Sequence, residues 1–153
     1  MDKNKFKLVL DLVMALSLLL IMVPNILGQI VHEWVGLIIG AVLLIHLVIN
    51  WNSIKTLTLN FFHSLSFKIR ITYFLNLLIF IGFVSIIISG MYISKSIDFS
   101  WLGISRGSGM GWKLLHTSTS YLTFLLVSIH IGMNFRWVLS AVKPIKTNLR
   151  LTY

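Results

Sequence analysis

HEWVGLIIGAVLLIH, residues 32–46, is a run of hydrocarbon side chains that begins and ends with histidine, and HTSTSYLTFLLVSIH, residues 116–130, repeats the interval. On an α-helix, fourteen steps of about 100° come to about 1400°, about 40° short of four full turns, so both histidines of a run fall on one face. Along the axis they stand about 21 Å apart, most of the way across a hydrocarbon core of about 30 Å. The two runs are therefore read together, as two helices that each carry a histidine at the same two depths.

Composition puts those helices in a membrane. Of 153 residues 57% are hydrophobic, and 13 Lys and Arg with 4 Asp and Glu leave too little polar surface for a soluble domain. Four stretches, about 8–30, 32–51, 71–94 and 113–142, are long enough to cross a bilayer. Backbone polar groups must be satisfied inside lipid, and without the alternation of a closed barrel the reading is all-α. The expectation is an integral, multi-pass membrane protein with one domain over 1–153, a four-transmembrane-helix bundle running up, down, up, down.

Short loops rich in Lys and Arg stay cytoplasmic. Lys3, Lys5, Lys7, Lys55, Lys68, Arg70, Arg136, Lys143, Lys146 and Arg150 lie on one side of this arrangement, and Lys95, Arg106 and Lys113 on the other, so both termini are expected in the cytoplasm. The net charge of +9 follows from this asymmetry and suits anionic lipid headgroups, so membrane lipid and not nucleic acid is the expected partner. The opening MDKNKFKLVLDLVMALSLLLIMVP has the outline of a signal peptide, but its apolar run is long and no small-residue cleavage site follows. It is read as a retained helix that Pro24 kinks or ends near the outer interface.

Aligning His32 with His116 also aligns His46 with His130 and Asn50 with Asn134, as duplication of a helical hairpin would, although shared geometric demands give the same pattern. The segment SIDFSWLGISRGSGMGW, residues 96–112, is the largest external loop. Residues 53–70 mix aromatic and basic side chains and are read as a short amphipathic piece at the inner headgroups.

The chain has no cysteine, which excludes disulfides, thiolate-held iron–sulfur clusters and covalent haem. Histidine is the strong metal donor that remains. Two histidines facing each other at each of two depths suit two non-covalent b-type haems, with His32 paired with His116 and His46 with His130 as axial iron ligands. Gly36 and Ser120, one turn inward of the outer histidines, would let a flat macrocycle approach the backbone, and Gly82, Ser85, Ser89 and Gly90 could do the same. Asn50 and Asn134 are read either as partners of inner haem propionates or as caps on the polar edge. Arg106 and Lys113 either pair with outer propionates or are solvated loop charges. Taken singly, His32 and His116 also fit interfacial polar residues, whereas His46 and His130 lie where an ionisable side chain is a functional candidate by default. A tetrahedral zinc site would gather four ligands in one place, which the two depths do not. His63 fits neither interval and is read as an interfacial residue, and Asp11 is expected to pair with Lys7 or Arg70, the other reading being a proton acceptor for a quinol near the cytoplasmic end.

His32-Glu33-Trp34 with Gly36, His46 with Asn50 and Trp51, and the pair His116 and His130 resemble the flavinylation-associated cytochrome family, small four-helix membrane cytochromes formerly called a domain of unknown function. The resemblance covers nearly the whole chain. It implies b-type haem on the four histidines and electron transfer to flavin-bearing extracytoplasmic partners. The histidine interval is also similar to that of the cytochrome b subunit of quinol-oxidising bc complexes. That family is much longer, and its Pro-Glu-Trp-Tyr quinol loop has no counterpart here.

The functional expectation is transmembrane electron transfer, from a membrane quinol to an extracytoplasmic flavoprotein or other external acceptor, by a carrier more than by a complete enzyme with catalytic residues of its own. Two rivals stay open. One is a transmembrane reductase that acts directly on an external oxidant such as ferric iron; the other is a non-redox membrane anchor.

Overall fold

A computed structural model describes residues 3–23, 28–63, 65–104, 107 and 109–142. Five α-helices account for most of them: α1 Lys3–Ile21, α2 Gln29–Ile49, α3 Trp51–Leu59, α4 Phe67–Ile93 and α5 Met110–Val142, with one turn of 3-10 helix at Ser100–Leu102 in the outer loop. The protein is all-α and membrane-integral. Helices Gln29–Ile49, Phe67–Ile93 and Met110–Arg136 are long and apolar enough to cross a bilayer, and few of their residues are buried within the chain itself. Leu44, Val48, Phe74, Ile81, Leu114 and Leu125 are among the large apolar side chains left outside, which lipid and not water must cover.

Of the four expected spans, three are thus distinguished by length and composition. The first helix is shorter than its sequence pattern, closing at Ile21 instead of near residue 30, and Lys3, Lys5, Lys7 and Asp11 occupy its first half. Residues 24–27, with Pro24, lie outside the described residues. Gly28 opens α2 with φ 73°, a conformation that favours glycine, and its carbonyl accepts the His32 backbone N–H at 3.1 Å. The inner segment contains α3, a separate nine-residue helix, and Asn50 (φ −97°, ψ 8°) forms the joint between it and α2.

Contacts fix the helix directions. Lys7 near the start of α1 donates to Asn50 Oδ1 beyond the end of α2 at 2.8 Å, and the Ile21 carbonyl at the end of α1 meets His32 near the start of α2. Helices α1 and α2 are therefore antiparallel. In the same way the late α4 residues Ile86 and Ser89 meet His116, early in α5. Packing is dense within α1/α2 and densest within α4/α5, but sparse between the two pairs, and the backbones of α2 and α5 do not approach each other closely. A small core of Leu18, Ile39, Leu43 and Phe83, flanked by Phe124 and Val127, bridges the pairs at mid-height.

Helix α5 carries many hydroxyls for a span, and its own backbone takes most of them up. Thr117, Thr119, Ser120 and Ser128 each donate to the carbonyl four residues earlier, at 2.6–2.9 Å. Thr123 differs. Its buried Oγ1 has no hydrogen-bond partner, and it is seated against Gly82, where an added Cβ would overlap the hydroxyl and meet the Thr123 Cβ at 3.3 Å. Small residues at a helix contact allow the close approach that dispersion forces reward in lipid, where no hydrophobic effect drives association. Replacing Gly82 by Val is expected to destabilise the protein by about 1–3 kcal/mol through overpacking. Thermal unfolding in detergent measures this, and adding Thr123→Ala to Gly82→Val should recover most of the loss.

Candidate functional site

The four histidines divide into two levels. At the outer level the His32 and His116 rings face each other with centroids 6.1 Å apart and planes at 71°. His32 Nδ1 lies 3.1 Å from the Ile21 carbonyl. His116 Nδ1 lies 3.1 Å from the Ile86 carbonyl and 3.2 Å from Ser89 Oγ. A carbonyl oxygen only accepts, so in both rings the proton belongs on Nδ1 and Nε2 keeps its lone pair. Such back-bonding orients a metal-binding imidazole and raises its basicity.

The spacing has a chemical meaning. Two imidazoles that hold one metal ion from opposite sides, each by a bond of about 2 Å, place their ring centres about 6 Å apart. The centroid separation of the outer pair is of that order, with the rings in an edge contact at 71°. A cavity of about 280 Å³ adjoins the pair, lined by His32, His116, Gly36, Gly40, Gly90 and Ser120, with Ser94, Ile97 and Phe99 toward the outer loop and Leu18 and Phe83 among its other walls. That lies just below the usual range for small-molecule and cofactor pockets, about 300–1,000 Å³. Two imidazole donors beside apolar walls are what a flat prosthetic group would need, and His32, His116, Gly36 and Gly90 would lie beside it.

At the inner level His130 lies within electrostatic reach of His46 and of Asp11. Nδ1 of His46 and Nδ1 of His130 are both buried without a hydrogen bond. His46 Nδ1 nonetheless lies 3.0 Å from Asp11 Oδ1, so the ring nitrogen and the carboxylate are close without being aligned. This corrects the expectation for Asp11, whose close partner is His46, not Lys7 or Arg70; Lys7 bonds Asn50 instead. Among the described residues no three His, Asp or Glu side chains converge as a metal-binding cluster.

Other expected site residues have modest roles. Asn50 and Asn134 each donate their side-chain amide to the carbonyl of the histidine four residues earlier, at 2.9 and 2.8 Å, the same bond at corresponding places in the two runs. Gly36 and Ser120 line the cavity, and Ser120 Oγ bonds the His116 carbonyl at 2.6 Å. On α4, Gly82 is filled by Thr123, while Ser89 and Gly90 face His116, whose Cε1 lies 3.3 Å from the position of a Gly90 Cβ. Lys113 is exposed, as is His63, which belongs to neither pair. Arg106 lies outside the described residues.

No protein-family model, curated protein or solved structure matches this chain. The site therefore rests on its own geometry.

Sequence reasoning counted Glu33 only among the residues that carry a resemblance and gave it no role, whereas the structure makes it a hub. Its carboxylate accepts from Gln29 Nε2 at 3.0 Å, Ser94 Oγ at 2.8 Å, the Lys95 N–H at 3.1 Å and the Ser96 N–H at 3.0 Å. The outer loop is thereby tied to the turn of α2 that carries His32. The available signal was the rarity of acids in the chain and the position of this one beside a candidate ligand. Tyr92 and Trp112 add a second tie, stacked at 4.1 Å across the ends of α4 and α5. Glu33→Gln, which removes the charge and half the acceptor capacity, is expected to speed amide exchange at Lys95 and Ser96 while leaving the middle of α4 protected. Hydrogen–deuterium exchange in detergent reads both regions.

Proposed function

We propose that the protein is a di-haem b-type cytochrome of the flavinylation-associated kind, with four membrane-crossing helices running up, down, up, down and both termini cytoplasmic. It carries electrons from a membrane quinol to an extracytoplasmic flavoprotein or another external acceptor. The observation that carries this reading is the outer pair. His32 and His116 come from two helices whose backbones stay apart, their ring centres are 6.1 Å from each other, and the Nδ1 of each is bonded to a carbonyl, all beside an apolar cavity. The equal fourteen-residue intervals from His32 to His46 and from His116 to His130 support a second site about 21 Å deeper.

When bound, haem supplies an iron centre that gains and loses one electron, with a potential set by axial ligands, burial and hydrogen bonds. The chain's own residues do the rest. The Ile21 and Ile86 carbonyls and Ser89 hold the outer imidazoles in one tautomer and orientation. Gly36 and Gly90 leave room beside them, and Leu18, Ile39 and Phe83 keep the cavity apolar. Helix α1 is the least apolar of the long helices, but it spans about 28 Å along its axis and packs antiparallel to α2, which supports its place as the fourth span.

Protein purified in detergent is expected to show a b-type reduced-minus-oxidised spectrum and two pyridine-extractable haems per chain. His32→Ala or His116→Ala should remove one of them, and His46→Ala or His130→Ala the other. Folded wild-type protein without haem, despite ample supply, would sink the proposal and favour a membrane anchor. Haem-loaded protein that reduces ferric chelates from quinol alone would replace the carrier with a reductase.

A further inference from the structure

The four histidines are alike in sequence setting but not in what their Nδ1 atoms meet. In the outer pair both face uncharged oxygens, the Ile21 carbonyl for His32 and the Ile86 carbonyl with Ser89 for His116. In the inner pair His130 Nδ1 has no hydrogen-bond partner, and His46 Nδ1 has a carboxylate oxygen at 3.0 Å. That carboxylate, Asp11, comes from α1, which carries neither histidine pair, and a carboxylate on a membrane-embedded helix is costly enough to require a partner. Lys7, one turn earlier on the same face and the obvious counter-ion, is directed to Asn50 Oδ1. The negative charge of Asp11 is thus left against the imidazole.

We propose that Asp11 is a positioning residue that acts through His46 to lower the reduction potential of the inner level selectively. This rests on the two-haem reading above. An anion beside the Nδ1–H of an axial imidazole makes the ring a stronger donor and favours the oxidised, more positive iron. Because the His46 contact is short but not aligned, the coupling is chiefly Coulombic and depends on the charge of Asp11 more than on the direction of its lone pairs. The outer rings, bonded to neutral oxygens, have no equivalent. The two levels therefore differ electronically although their ligands are identical.

The test is a redox titration of purified protein, monitored in the haem bands, for wild type, Asp11→Asn and Asp11→Glu, with His130→Ala identifying the inner component. Asp11→Asn is nearly isosteric and should move the inner potential in the positive direction while the outer stays in place. Asp11→Glu, which keeps the charge, should stay nearer the wild-type value. The inference is overturned if Asp11→Asn moves neither potential, or moves both equally. It is likewise overturned if both variants lose the inner haem and keep the outer one, since Asp11 would then be structural. Wild-type protein with two haems and an unresponsive Asp11→Asn overturns this inference alone; wild-type protein with no haem overturns the two-haem reading and this inference together.

Discussion

Where Thr123 presses against Gly82, α4 and α5 come close enough to act as one rigid unit, and the histidine site depends on that contact. It fixes the register in which Ile86 and Ser89 of α4 meet His116 of α5, so the orientation of one imidazole follows from helix packing some two turns away. On the other side, α1 and α2 form a second unit in which the Ile21 carbonyl sets His32. Each outer histidine is oriented by its own hairpin partner, not by the helix it faces. Between α2 and α5 a cavity remains beside the outer histidines, and below it the core of Ile39, Leu43, Phe83, Phe124 and Val127 closes the space.

Much of this was legible in the sequence. The fourteen-residue intervals placed two histidines on one face of each helix, and the membrane character followed from hydropathy alone. Helix ends were partly legible: an end near Pro24 was anticipated, but the apolar run to about residue 30 does not continue α1, which closes at Ile21, and the inner segment read as amphipathic opens with a separate nine-residue helix. Of the small residues of α4, Gly82 was misread in role, since a glycine that leaves room beside a cavity and one that admits a neighbouring threonine look the same in a sequence. Pairings between distant residues were the least legible. Glu33 with the Ser94 hydroxyl and the Lys95 and Ser96 N–H groups, and Asp11 with His46, depend on how separate elements come level, which a periodicity on one helix does not encode.

The sequence correspondence between the two runs is kept in the structure at one point beyond the histidines. Asn50 and Asn134 both return a hydrogen bond to the histidine carbonyl one turn earlier, yet Asn50 stands at a break in the chain and Asn134 inside a continuous helix. Such a bond satisfies the amide locally and leaves the side-chain oxygen for another donor, which for Asn50 is Lys7. Similar geometric needs can therefore maintain the same residues in different backbone settings, whether or not the two runs share an origin.

Between the two histidine levels lie Leu18, Ile39, Leu43 and Phe83, with Phe124 and Val127 packed against them. Nothing in that group can carry a proton by exchange along hydrogen bonds, and packed hydrocarbon offers no foothold to a file of water. The cluster places hydrocarbon, and no chain of hydrogen-bonding groups, between the outer and the inner polar site. Under the proposed function, an electron crossing it would leave its counter-charge behind, so the energy released would be stored as voltage and not dissipated as leak.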